Sequence, residues 1–394
     1  MSKSHAITAT LSAAAVVVAL GACAPGSPKL TTLPTGAASP SSAASPMPTP
    51  TPTAAALAVA QVRIPFGCED AAPANQLSAA MGTPLVLETT AETWRDAAEL
   101  RPYAFVQAGA LDCSWSTHPG QSGNFTNYRV LVAPDVTAAK WTQYKVDGLT
   151  ASAPATPYGG NSNLHCSTTP ANMRCSLTAY IGTTFVSVTD FSTAVTKSLS
   201  SAATFARFEP LFTTLVNEVT SATIVEPGFA DALAKPVTYS SEFTISDAAI
   251  SVAVGVPNFT FHSEAWGPII DEDGPEIEPE EPVNFRWEGG GGGNSSIGNF
   301  TIGIEVLPAG AWAYPDIVSA SSTLPGLATI SGVGNQAVVF SPTAASSATH
   351  RILIATSGHN LFSIDLSVDH AKPGQDYTAI AEKLALAVMS GIGS

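Results

Sequence analysis

The feature that most constrains this chain is an internal repeat. Gly123-Asn124-Phe125-Thr126 returns as Gly298-Asn299-Phe300-Thr301, and each is followed by a run that reads as a strand: Tyr128 to Val132 in the first case, Ile302 to Val306 in the second. Upstream, Asp112-Cys113-Ser114-Trp115 matches Asn284-Phe285-Arg286-Trp287, and Asp70-Ala71-Ala72 matches Asp247-Ala248-Ala249. Downstream, Gly160-Asn161 matches Gly334-Asn335, and Leu177 to Gly182 aligns with Leu353 to Gly358. The offsets stay between 172 and 177 residues, a register that chance does not keep.

Each copy opens on a short amphipathic stretch, from Asp70 to Met81 in the first. Middle helices are expected over Pro134 to Lys145 and Ala311 to Ser319, and closing helices over Phe205 to Val219 and Tyr377 to Met389. The strands between them are joined by short Gly/Asn/Pro turns, which favour antiparallel pairing. The expected fold is therefore α+β: two tandem copies of an antiparallel sheet of about five or six strands, flanked by helices. The copies are expected at residues 61–226 and 227–394, divided near Glu226-Pro227-Gly228.

Ahead of the first copy the sequence reads as an address. Lys3 precedes an apolar run from Ala6 to Leu20, shorter than the ~20 residues a stable span needs. The run ends in Leu20-Gly21-Ala22-Cys23, which resembles the bacterial lipobox. Residues 1–22 are thus expected to be a lipoprotein signal, with diacylglycerol on the Cys23 sulfur and cleavage just before it. Residues 23–60 are rich in Pro, Thr, Ser and Ala and read as a disordered spacer. The expected location is the outer face of the bacterial cytoplasmic membrane, with membrane lipid as one partner.

Four further cysteines, Cys68, Cys113, Cys166 and Cys175, all fall in the first copy. An exported chain with an even number is expected to form disulfides. The favoured pairing is Cys68–Cys113 and Cys166–Cys175. The first pair corresponds to Ile245 and Phe285, two apolar residues able to share a core site, and the second closes residues 168–172 as a hairpin loop. In the second copy Cys166 and Cys175 correspond to Phe340 and about Arg351. Export and the lack of CxxC spacing disfavour a metal site.

A cysteine before a short helix, followed by Cys113-Ser114-Trp115 on a strand, resembles actinobacterial envelope lipoproteins of unknown function. It is more distantly similar to the extracellular sensor domain of PknH-like kinases. The resemblance covers Cys68 to about Thr220 and reaches the second copy only through the repeat. It implies a sheet-and-helix fold at the cell surface with a binding or trafficking role, and it transfers no catalytic residue.

Sixteen Lys and Arg stand against 31 Asp and Glu, so nothing here neutralises a run of phosphates and no nucleic-acid partner is expected. Gly120-Gln121-Ser122-Gly123 fails the spacing of a nucleophile elbow, and no HExxH occurs. The run Gly289 to Gly293 lacks the GK[ST] ending of a phosphate loop, so it reads as a hairpin loop. His350 and His359 flank a strand and a turn and read as solvent-facing. Seven carboxylates between Asp271 and Glu281, among them Asp271, Glu272, Asp273 and Glu276, form an acidic loop without EF-hand spacing. That loop lies opposite Trp94, Tyr103 and Phe105 of the first copy, so a ligand or ion groove is sought there or between the copies. Trp115 and Trp287 hold equivalent strand positions and are assigned to the core, and Trp141 and Trp312, which recur near the middle helices, are read with the same caution. No cofactor and no catalytic residue are expected. The leading reading is a non-catalytic binding or interaction lipoprotein with an envelope ligand or protein as partner. An accessory sensor or trafficking lipoprotein, or an envelope hydrolase or transferase with an unfamiliar site, stay open beside it.

Overall fold

Alternation of apolar residues builds two antiparallel sheets. The computed structural model describes residues 59–92, 99–119, 126–147, 157–159, 161–168, 173–192, 199–226, 246–256, 259–262, 283–289, 299–342, 349–369, 371 and 374–392. The lipobox, most of the spacer, the Glu226 to Gly228 boundary beyond Glu226, Trp94, Ile245 and the acidic loop lie outside them.

The first copy runs α1 (Cys68–Ala71), α2 (Ala74–Met81), β1 (Val86–Glu88), α3 (Arg101–Gln107), β2 (Leu111–Ser116), β3 (Asn127–Ala133), α4 (Ala138–Asp147), β4 (Ser162–Thr168), β5 (Met173–Ile181), β6 (Thr184–Phe191) and α5 (Ser201–Ser221). The second runs α6 (Asp247–Val254), β7 (Thr260–His262), β8 (Val283–Gly289), β9 (Asn299–Leu307), a 3-10 turn (Gly310–Ala313), α7 (Tyr314–Ala320), β10 (Ala328–Thr329), β11 (Gln336–Phe340), β12 (His350–Ser357), β13 (Asn360–Asp369) and α8 (Tyr377–Ile392). The strand order is β1-β2-β3-β6-β5-β4 in one sheet and β7-β8-β9-β13-β12-β11-β10 in the other. Apart from the extra edge strand β10 the two orders are the same, so the repeat in sequence is a repeat in topology. Six and seven strands are present where about five or six were expected.

Both closing helices bury an i, i+3, i+4 stripe on their sheet: Phe208, Leu211, Phe212 and Leu215 on α5, and Ile380, Ala381, Leu384 and Val388 on α8. They also start alike. Ser200 Oγ accepts from the Ala203 N–H at 3.2 Å, and Asp376 Oδ1 accepts from the Ala379 N–H at 3.1 Å, 176 residues on. On the sheets, Val130, Val186 and Val188 face α5, while Ile304, Phe362, Ile364 and Leu366 face α8. Gly334 explains part of the repeated Gly-Asn pair. Its φ is +58°, and a Cβ there would run into the Thr356 carbonyl, which accepts from the Asn335 N–H at 2.8 Å.

Two details of the repeat need correction. The opening helices α2 and α6 are each eight residues long, end on left-handed Gly82 and Gly255, and bury Leu77, Ala80, Met81 and Ile250, Ala253, Val254. Ala74, and not Asp70, therefore corresponds to Asp247, and the four-residue slip removes the register that made Ile245 the counterpart of Cys68. Pro73 ends α1 and starts α2, which is why one amphipathic stretch becomes two helices. Along β11 the register Phe340↔Ile352 puts Ser341, and not Phe340, opposite Arg351. Arg351 Nη1 donates to Ser341 Oγ at 2.8 Å.

The described residues form one compact unit. α3 joins the copies. Its Phe105 packs with Leu131 and Phe185 of the first sheet and Trp141 of α4, on the face away from α5, and its Tyr103 and Ala104 pack with Leu307 and Ile354 of the second sheet and Trp312 of the 3-10 turn. Among the described residues no helix is long and apolar enough to cross a membrane.

Candidate functional site

Two places put buried polar groups where the pattern calls for apolar ones. The first is a single rung across the first sheet. Leu87 pairs with Trp115, Trp115 with Tyr128, Tyr128 with Asp190, and Cys166 with Cys175. The register Leu177↔Val188 carries on to set Cys175 opposite Asp190, which closes the rung. The side chains of directly opposed residues share a face, so this row lies under α5 with the apolar core.

Asp190 is 6% exposed. Its Oδ1 accepts the Cys175 backbone N–H, while its Oδ2 and the Tyr128 hydroxyl make no hydrogen bond. Loss of solvent pushes the Asp190 carboxyl up to about 8, against the smaller lowering effects of the Cys175 N–H and the Arg174 charge. Burial, with Asp190 beside it, also raises the Tyr128 phenol. Both expected disulfides are bonded. Cys68–Cys113 ties α1 to β2 across 45 residues, and Cys166–Cys175 ties β4 to β5 across 9.

The second place is the junction made by α3. Glu305, 8% exposed on β9, accepts the Leu100 N–H at 2.6 Å from 205 residues away, just before the first turn of α3. Burial pushes its carboxyl up to about 8, with the Glu99 charge adding to the rise, the Leu100 N–H and Arg101 opposing it, and Asp365 adding a little more. The Gln107 amide spans the joint in both directions, donating to the Pro308 carbonyl at 2.8 Å and accepting from Trp312 Nε1 at 3.1 Å. At the rim of this face His350 Nε2 and Asp365 Oδ1 are 2.5 Å apart, with Asp365 41% exposed.

Tyr103 belongs to this joint. It is 1% exposed and stands edge-on to Trp312 at 5.9 Å between centroids, so the space where a groove was expected is packed at this position. Asp271, Glu272, Asp273, Glu276 and Trp94, the other candidates for ligand or ion contact, lie outside the described residues, as does Cys23. Trp115 is buried, as assigned, and so are Trp141 and Trp312. Among the described residues no cluster of three or more His, Cys, Asp or Glu side chains is set to hold a metal ion.

Asp190, Tyr128 and Glu305 did not stand out in the sequence, yet a signal was there. Asp190 falls in phase with Val186 and Val188, and its position and that of Tyr128 are held by Leu366 and Ile302 in the repeat, while Glu305 takes the position of Leu131. A carboxylate in phase with inward valines, or facing an apolar residue in the other copy, marks a buried charge.

No family model matches the chain, and no curated protein matches it. Among solved structures it is similar to DynU16 from the dynemicin biosynthetic locus, at 9% identity and a TM-score of 0.12 over 78% of this chain and 94% of that one. A likeness that weak carries no argument. What the fold itself defines is a duplicated α+β protein with disulfides in one copy only.

Proposed function

We propose that this chain is a lipoprotein of the bacterial cell envelope, held on the outer face of the cytoplasmic membrane by acylated Cys23. Its duplicated body then serves as a non-catalytic binding or interaction module. The observation that carries this reading is the pair of disulfides in the first copy, because such bonds persist outside the reducing cytosol. The Leu20 to Cys23 motif, the Pro/Thr spacer and the resemblance of the Cys…Cys-Ser-Trp pattern to envelope lipoproteins agree with it. The acidity is uneven: residues 63–235 hold 10 basic and 14 acidic side chains, residues 236–394 hold 4 and 17. A cationic partner is therefore expected to meet the second copy.

Two measurements test the proposal. Mass spectrometry of the mature N-terminal peptide is expected to find diacylglycerol on Cys23, and Cys23→Ser to release the protein from membranes. Cross-linking on intact cells is expected to capture an envelope partner with contacts in the second copy. Turnover of an envelope substrate that a point mutation abolishes would replace this reading with an enzymatic one.

A further inference from the structure

The rung that crosses the first sheet can be laid over its counterpart in the second. There the row reads Phe261, Trp287, Ile302, Leu366, Arg351 and, by continued register, Ser341. In the first copy the same six positions are Leu87, Trp115, Tyr128, Asp190, Cys175 and Cys166. Ile302 and Leu366 are wholly or almost wholly buried, so the shared fold is satisfied by aliphatic residues at the two central positions. The first copy places a phenol and a carboxyl there instead, at the cost of leaving Tyr128 OH and Asp190 Oδ2 without hydrogen bonds. These polar residues coincide with the one rung that ends in a cystine. On its rung Cys113 of the other cystine has no such neighbour, since Cys113 pairs with Val130 and Val130 with Val188.

We propose that Cys166–Cys175 is a thiol–disulfide exchange site in which Asp190 supplies and takes up the proton of Cys175. Cys166 is half-buried on β4, the last strand of its sheet, whereas Cys175 is wholly buried one strand further in. In the second copy the corresponding strand β11 is covered by β10. Entry is thus from the Cys166 side. A thiolate from an extracytoplasmic dithiol attacks Cys166 Sγ, a new S–S bond forms to that sulfur, and the Cys166–Cys175 bond breaks. Cys175 leaves with the electron pair and takes the proton of the Asp190 carboxyl, which becomes a carboxylate held by the Cys175 N–H. The second thiol of the reductant then displaces Cys166 as a thiolate, which is protonated from solvent. The dithiol ends oxidised to a disulfide and the protein reduced by two electrons. Run backwards, the Asp190 carboxylate removes the Cys175 proton as the bond re-forms. Arg174 is the nearby cation and Tyr128 the neutral group beside the carboxyl.

The test uses the full chain, with dithiothreitol as the probe. Free thiols are trapped by alkylation at timed intervals, and peptide mass spectrometry follows each disulfide separately across pH 5 to 9. Opening of Cys166–Cys175 is expected to be at least ~10-fold faster than that of Cys68–Cys113 in the folded protein. Asp190→Asn is expected to slow it by roughly 10-fold or more and to flatten the part of its pH profile that the reagent's own ionisation does not explain, and Asp190→Glu to restore both. The double variant Asp190→Leu with Tyr128→Ile carries the residues of the second copy. It should fold, keep both disulfides and show the same slowed, flattened opening. Equal opening rates at the two bonds, or an unchanged rate and profile in Asp190→Asn and in the double variant, would overturn the proposal. Cys23→Ser, which tests the membrane anchor, should leave these rates unaltered.

Discussion

The two copies solve the same folding problem with different residues at matching positions. Where the second builds its central rung from Ile302 and Leu366, the first uses Tyr128 and Asp190. Where the first closes the edge of that rung with Cys166–Cys175, the second uses an Arg351–Ser341 hydrogen bond. On the opposite faces the difference reverses, with Leu131 in the first copy and Glu305 in the second, and that one carboxylate reaches across to α3. A fold that forms both ways does not require either polar set. Each addition therefore asks for its own explanation: Glu305 and Gln107 join the copies, while Asp190 bonds the Cys175 N–H within its own sheet and stands beside a cystine.

The largest effect that would test this comparison is loss of the staple peculiar to the first copy. Replacing Cys68 and Cys113 by Ala is expected to lower stability in urea unfolding by about 4 kcal/mol, the loop-closure value for a 45-residue separation. Opening the Cys166–Cys175 hairpin should cost less, about 3 kcal/mol or below, because the bonded loop spans only 9 residues. Equal costs would show that the two bonds do the same mechanical work. Next comes the joint. At about pH 4, where the carboxyl carries no ionisation penalty, Glu305→Ala strips the Leu100 N–H of its buried acceptor and is expected to cost roughly 1–3 kcal/mol, whereas Glu305→Gln keeps an acceptor and should recover most of it. A neutral Glu305→Ala would mean that α3 is held by its apolar contacts and the Gln107 hydrogen bonds without help from Glu305. Smaller still, Trp312→Phe removes the indole donor to Gln107 and is expected to cost on the order of 1 kcal/mol.

Much of this architecture was legible because the repeat is written in apolar spacing, which survives substitution. The closing helices, β3, β9 and the Cys166–Cys175 hairpin followed from period and separation, whereas Cys68–Cys113 was paired through Ile245, a correspondence that the helix register does not keep. α3 was not legible: its counterpart stretch lies in the acidic loop, so the repeat offered no template for Arg101–Gln107, and its Tyr103 read as a candidate contact in a ligand groove. Burial of Tyr103 against Trp312 comes from a contact about 200 residues away in the chain, which no local pattern encodes. The partner of Glu305, Leu100, was hidden for the same reason, although the match of Glu305 to Leu131 in the other copy marked the carboxylate itself. Asp190 differs, since its in-phase position after Val186 and Val188 was visible in one strand, but its place next to Cys175 depends on the β5–β6 register.

The pH dependence of stability reaches the central claim most directly, that the polar rung is an addition the shared fold does not need. Asp190 and Glu305 titrate at about 8 when folded, against 3.8 and 4.5 as free side chains. Through that window the unfolded chain gives up protons the folded chain keeps, so each carboxyl's penalty is absent below about pH 4, grows as pH rises and is complete above about pH 8. Each group contributes at most ~1.4 kcal/mol of slope per pH unit. Urea unfolding of the wild type is therefore expected to show lower stability at pH 8 than at pH 5. The Asp190→Leu, Tyr128→Ile variant should lose part of that tilt and be at least as stable as the wild type at pH 8. A variant that is destabilised by about 2 kcal/mol or more at both pH values, the range of a broken buried polar network, would contradict the account and make the phenol and the carboxyl part of the fold's own framework.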